Sequence, residues 1–217
     1  MRKLFLLFVS LFVAMTMNAQ IDLSFGPKLG YQSMIITRAE YDKGQISEGS
    51  FTFGLFGRAT INKFIIQPEL MYSTYNFEIW GYDHNPIEIN NQSMALPIYF
   101  GYIFFENDHI RLRGNLGPVF YFSLKDTFTM RDLELDLSDE LTYSMLKHWV
   151  HKDVVVGAAI NIGVDLWNFV LDLNYSLGLT NVFYDRTYYN SNVYYSPIEY
   201  EPYKQQVFTI TLGYKIL

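Results

Sequence analysis

Residues Gln206 to Leu217 read QVFTITLGYKIL. Phe208, Ile210, Leu212, Tyr214 and Ile216 alternate there with Thr209, Thr211, Gly213 and Lys215. A period of two specifies a strand with one apolar face and one small or polar face. As the last strand of the sequence it would leave a bare edge unless another strand covers it. A closed barrel does so by pairing the last strand with the first.

Working outward, seven more segments repeat the pattern. Strand one sets Leu23, Phe25, Leu29 and Tyr31 against Ser24, Gly26, Lys28, Gly30 and Gln32. Strand two sets Phe51, Phe53, Leu55, Ala59 and Ile61 against Thr52, Gly54, Arg58 and Thr60. Strand three sets Phe64, Ile66, Leu70 and Tyr72 against Gln67, Glu69 and Ser73. Strand four, Ser93 to Phe104, carries Met94, Leu96, Ile98, Phe100 and Tyr102 on one face. Strand five places Ile110, Leu112, Leu116, Phe120 and Phe122 opposite Arg111, Arg113, Asn115, Gly117 and Tyr121. Strand six runs through Val154 to Asp165, and strand seven alternates Phe169, Leu171, Leu173, Tyr175 and Leu177 with Asp172, Asn174, Ser176 and Gly178.

The connections alternate in length. Tight turns fall at Asn62-Lys63, Glu106-Asn107-Asp108 and Trp167-Asn168, and long loops span Thr37–Ser50, Phe77–Asn91, Lys125–Lys152 and Asn181–Gln205. Each strand reaches the roughly 9–11 residues that cross a bilayer at a tilt. Short turns on one side and long loops on the other are the pattern of bacterial outer-membrane barrels. The expected fold is therefore all-β: an eight-stranded antiparallel up-and-down transmembrane β-barrel.

The N-terminus and composition agree with export. Arg2 and Lys3, the apolar run Leu4–Met15 and the small-residue site Asn18-Ala19 form a signal peptide over 1–19, leaving residues 20–217 as the barrel domain. Removing those two cations takes the net charge from −6 to about −8, a poor balance for binding nucleic acid. The chain has no cysteine, so no disulfide or thiol-anchored lipid is expected.

The non-lipid face gathers Lys28, Arg58, Glu69, Arg111, Arg113, Asp165, Asp172 and Lys215, interleaved with glycines. Eight strands leave an interior just wide enough for side chains, and opposite charges buried together offset part of each other's desolvation. We expect Arg58 to pair with Glu69, and Arg111 or Arg113 with Asp165 or Asp172, in a plugged polar interior. Tyr31, Tyr72, Tyr102, Trp167 and Tyr214 suit the two interfacial girdles.

The segments FGPKLGYQ, IIQPELMYS, MALPIYFGY, GNLGPVFYFS, VVVGAAINIGVDL, NYSLGLTNV and FTITLGYKIL together resemble the PorT-like outer-membrane β-barrel family of Bacteroidetes-type bacteria. The resemblance implies an outer-membrane barrel and, through the family's namesake, a link to the type IX protein secretion system. It ends here on Leu217, where members often have Phe.

Catalytic and metal chemistry find little support. His148 and His151 form an H-x-x-H near Glu140 and Asp153, on a stretch whose Ser138–Lys147 portion is a plausible short helix. Two histidines without a third ligand read as solvated loop residues, and neither metal nor cofactor is expected. Some eight-stranded barrels modify lipid A with a Ser, a His and a carboxylate. Ser73, Asp83 and His84 are the remote candidates, and His109 falls on the wrong side; the chain reads as non-enzymatic. The fourth loop crowds Tyr184, Tyr188, Tyr189, Tyr194, Tyr195, Tyr200 and Tyr203 beside Asn190, Ser191 and Asn192, a composition suited to contact surfaces or to stacking across an extended hairpin. Asp132, Glu134, Asp136, Asp139 and Glu140 make the third loop acidic. The expected partners are outer-membrane lipid and lipopolysaccharide, with envelope or secretion proteins as further candidates.

Overall fold

A computed structural model describes residues 21–38, 45–46, 49–80, 86–130, 133–135, 152–182 and 203–217. Its strands are β1 (Ile21–Arg38), β2 (Gln45–Ile46), β3 (Ser50–Ile61), β4 (Phe64–Trp80), β5 (Pro86–Glu106), β6 (Ile110–Met130), β7 (Leu133–Leu135), β8 (Val154–Leu166), β9 (Phe169–Gly178) and β10 (Tyr203–Tyr214). Eight of them pair with their sequence neighbours in the order β10-β9-β8-β6-β5-β4-β3-β1, and β10 pairs with β1 to close the ring. All of these pairings are antiparallel, and the closing ladder runs from Lys28↔Gly213 to Arg38↔Tyr203. The two short pieces lie off the ring, β2 on β1 and β7 on β6. Among the described residues no helix is long and apolar enough to cross a membrane.

The three tight turns share one end. Asn62 (φ 57°) and Trp167 (φ 53°) carry left-handed backbone in two of them, a conformation Asn tolerates and a bulky residue resists. In the third, Asn107 Oδ1 accepts from the backbone N–H of His109 at 3.0 Å and of Ile110 at 2.7 Å, a side-chain-locked turn.

Outward residues at mid-barrel are apolar and bare: Leu29 is 61% exposed, Phe53 56%, Leu116 65% and Ile160 57%. Two aromatic girdles bound this band. Tyr31 packs edge-on to Phe51 and Phe53 meets Tyr72 toward the long-loop end. At the short-turn end Phe64 meets Tyr102, Tyr102 meets Phe104, and Phe169 meets Tyr214.

Beyond the upper girdle the structure departs from the expected loops. β4 continues to Trp80 and β5 starts at Pro86, so most of the stretch expected as a second loop is a paired hairpin, with Asn76↔Asn90 and Glu78↔Glu88 in register. β6 likewise runs on to Met130, and β7 adds to it. Here the alternation inverts. Thr74, Asn76, Asn90 and Gln206 lie on the outer face, while Met34, Ile36, Tyr75, Ile89, Phe128, Val182 and Val207 form a buried cluster inside. This part is built as a soluble barrel is, apolar within and polar without.

Candidate functional site: the barrel interior

Strand alternation projects every second side chain inward, and eight strands bring those side chains within reach across the ring. The lowest interior level is ionic. Lys28, Arg58 and Arg113 face Glu69, Asp165 and Asp172, all at most 3% exposed. Three buried cations thus balance three buried anions. Lys28 Nζ bonds the carboxylate of Glu69 and sits 2.6 Å from Asp172 Oδ2. Arg113 spans the acids of the next two strands, β8 and β9: Nε is 3.1 Å from Asp165 Oδ1 and Nη2 is 2.7 Å from Asp172 Oδ1. That second contact is a close ion pair too bent to count as a hydrogen bond. Gly163 leaves the room for it, because a Cβ there would run into the Arg113 guanidinium and the Asp172 carboxylate.

Arg58 reaches across the barrel to Asp165 Oδ2 at 2.5 Å, and its Nε donates to Gln67 Oε1 at 2.6 Å. Gln67 Nε2 in turn donates to Glu69 Oε1 at 2.5 Å. The expected Arg58–Glu69 pair is therefore corrected: Gln67 stands between them, and Glu69 belongs to Lys28. Arg113 makes the pairing expected of it or Arg111 with Asp165 and Asp172, whereas Arg111 does not belong to the buried network. It lies at the short-turn rim, paired with Glu106 at 2.5 Å and Asp22 at 3.2 Å and exposed in part. Arg111 is the second residue of β6, so its inward direction points below the packed interior. Lys215 sits at the margin, 3.4 Å from Asp165 Oδ2.

Above the charges lies a level of amides and hydroxyls. The side chains of Asn115 and Asn161 bond each other, Asn161 Nδ2 donates to Asn174 Oδ1 at 2.6 Å, and Tyr99 OH donates to the same oxygen at 3.0 Å. Tyr121 OH and Ser176 Oγ are 2.5 Å apart. Ser73, one of the remote catalytic candidates, faces Ser93 Oγ at 3.4 Å inside the barrel. The apolar cluster of Met34, Ile36, Tyr75, Ile89, Phe128, Val182 and Val207 closes the top. The sequence reading missed this third level; the signal was there, in apolar residues recurring on the inner register after Gln32.

Of the other candidates, His109 lies at the short-turn end with its ring edge-on to Trp167 at 5.7 Å. Tyr203 is part-buried against the apolar cluster, and its backbone N–H donates to Asn181 Oδ1 at 3.0 Å. Asp153 is exposed where β8 begins. Tyr184, Tyr188, Tyr189, Tyr194, Tyr195 and Tyr200 lie outside the described residues, as do Asp83, His84, Glu140, His148, His151 and the segment 1–20. Glu134 lies in β7; the rest of the acidic third-loop set is likewise outside them.

The family described as outer membrane protein beta-barrel domain matches residues 8–184. Among solved structures, Ail, the attachment invasion locus protein of Yersinia pestis, in complex with the heparin analogue sucrose octasulfate, is similar at 15% identity. The match covers 90% of this chain and 99% of that chain with a TM-score of 0.44. Neisserial surface protein A is similar at 9% identity, over 90% of this chain and 99% of that chain, with a TM-score of 0.48. No curated protein matches the chain in sequence.

Proposed function

Because the chain belongs to the outer membrane protein β-barrel domain family, we propose that it is a non-enzymatic barrel whose interior is a plug and whose outward-projecting hairpins and loops are an interaction surface. The observation that carries this reading is the stacking of two seals. A balanced six-charge network fills the lower interior, and an apolar cluster fills the upper one. Opening an axial path would strand buried charges without partners, which costs several kcal/mol. Planar-bilayer recording on the purified protein should give no steady conductance; large, stable single-molecule currents would sink the reading.

The polar exterior of the β4–β5 hairpin, with Asn90 Nδ2 bonded to Asn76 Oδ1 at 2.5 Å, supports a contact surface standing above the lipid. Lipopolysaccharide and other envelope proteins are the partners we propose for it. An accessory role in type IX secretion rests on the motif resemblance alone. Normal export of that system's cargo in a deletion strain would remove it.

A further inference from the structure

Pro68, Pro97 and Pro118 lie in the interiors of β4, β5 and β6; of the other strand prolines, Pro86 opens β5 and Pro27 lies in β1, whose ladder with β3 is continuous. Proline has no N–H to give a ladder and is ordinarily confined to edges and bulges. In β3–β4 the pairing stops at Phe56↔Glu69 and resumes at Ala59↔Ile66, passing over Gly57 with Pro68 and Arg58 with Gln67. In β4–β5 it passes from Pro68↔Ile98 to Met71↔Ala95, skipping Glu69 with Pro97 and Leu70 with Leu96. In β5–β6 it passes from Pro97↔Val119 to Phe100↔Leu116, skipping Ile98 with Pro118 and Tyr99 with Gly117. Each gap holds one proline, and the three gaps fall on neighbouring strand pairs. The ladders β1–β3, β6–β8, β8–β9 and β9–β10 run unbroken.

The gaps form a diagonal seam with lipid on one side and space on the other. Outside, Leu55, Leu70, Phe100 and Leu116 flank it within the exposed apolar band. Inside, a cavity of about 40 Å³ is lined by both partners of one skipped pair, Glu69 and Pro97, with Met71, Ala95, Tyr99 and Val119 beside them. At the β5–β6 gap the Ile98 carbonyl leans over the α-carbon of Gly117, where any Cβ would overlap it.

We propose that this seam is a lateral portal through which the hydrocarbon chain of an outer-membrane lipid reaches the cavity. Parting two strands in lipid normally exposes bonded backbone groups to a medium that cannot satisfy them. Here each proline has already removed one ladder hydrogen bond, so the wall separates more readily along this line than where the ladders run unbroken. The medium at the seam is hydrocarbon, and the cavity wall nearest it is mostly apolar. Its volume accepts a chain end and no headgroup.

The absence of native cysteine allows a direct test. Ala159→Cys and, separately, Ala95→Cys place single thiols on the cavity wall, and Leu171→Cys serves as a lipid-face control. The full protein in phospholipid vesicles is treated with a membrane-partitioned alkyl maleimide or a sulfonated, membrane-impermeant one. The alkyl reagent should label either cavity thiol faster. Adding Pro68→Ala, Pro97→Ala and Pro118→Ala should slow that labelling about a hundredfold, the population change three restored hydrogen bonds bring, and leave the control unchanged. Equal labelling by the sulfonated reagent would mean entry by water through a barrel mouth and overturn the portal. So would a rate indifferent to the three prolines, or no labelling of either cavity thiol.

Discussion

Replacing Arg113 with Met tests the interior network most sharply. Arg113 is fully buried and holds Asp165 at 3.1 Å, Asp172 at 2.7 Å and, through Nη1, Asn161 Oδ1 at 3.2 Å. Breaking a buried ion pair by removing one partner costs about 3–5 kcal/mol, because the remaining charge stays desolvated. Two facts pull the expected value toward the lower end: Asp172 keeps Lys28, and Asp165 keeps Arg58. We therefore expect Arg113→Met to lower unfolding stability by about 3 kcal/mol. The assay is urea unfolding from phospholipid vesicles, followed by tryptophan fluorescence. Adding Asp172→Asn restores the balance of buried charge, so the double variant should lose less than the two singles summed, by about 1–3 kcal/mol. A loss within about 0.5 kcal/mol for Arg113→Met, the range of an ordinary surface substitution, would refute the network as a stability element.

Further outcomes are expected from the same assay. Gly117→Ala forces a methyl onto the Ile98 carbonyl and should cost about 1–3 kcal/mol as overpacking, while Gly57→Ala, whose Cβ meets nothing nearby, should be close to neutral. Leu171→Arg on the lipid face should cost about 2–4 kcal/mol near the bilayer midplane; a neutral result would place that face away from lipid. Arg111→Ala, at the exposed rim, should change stability by no more than about 1 kcal/mol, in contrast to Arg113→Met.

The barrel was legible because lipid imposes a rule that sequence displays. Every second residue from Leu23 to Tyr31 and from Phe208 to Ile216 had to be apolar, and the short turns at Asn62, Asn107 and Trp167 punctuate the strands where the chain reverses. The strand ends were not legible for the converse reason. Past Tyr31 the solvent outside becomes water, so Met34 and Ile36 turn inward and the polar residues outward. A pattern whose phase flips mid-strand reads as irregular. The interior ionisable residues could be collected on one face from the period of two, but their partners could not. Arg58 and Asp165 lie on strands that meet only across the closed ring, and which residues meet there depends on how the strands are staggered around it. The gaps at Pro68, Pro97 and Pro118 needed the registers themselves.

The apolar cluster above the upper girdle gives this molecule two thermodynamic regimes in one wall. Within the bilayer, burying an outward leucine exchanges one hydrocarbon neighbour for another. The cluster of Met34, Tyr75, Ile89, Phe128 and Val207, by contrast, is held together by the exclusion of water, and exposing it raises the heat capacity. That upper segment therefore has its own curved dependence on temperature and its own sensitivity to urea. We expect it to act as a small cooperative unit resting on a membrane-clamped base, loosening while the ring below stays shut. Hydrogen exchange that releases amides near Ile89 and Val207 well before those near Asp165 and Asp172 would trace that boundary residue by residue, and a single common exchange rate would erase it.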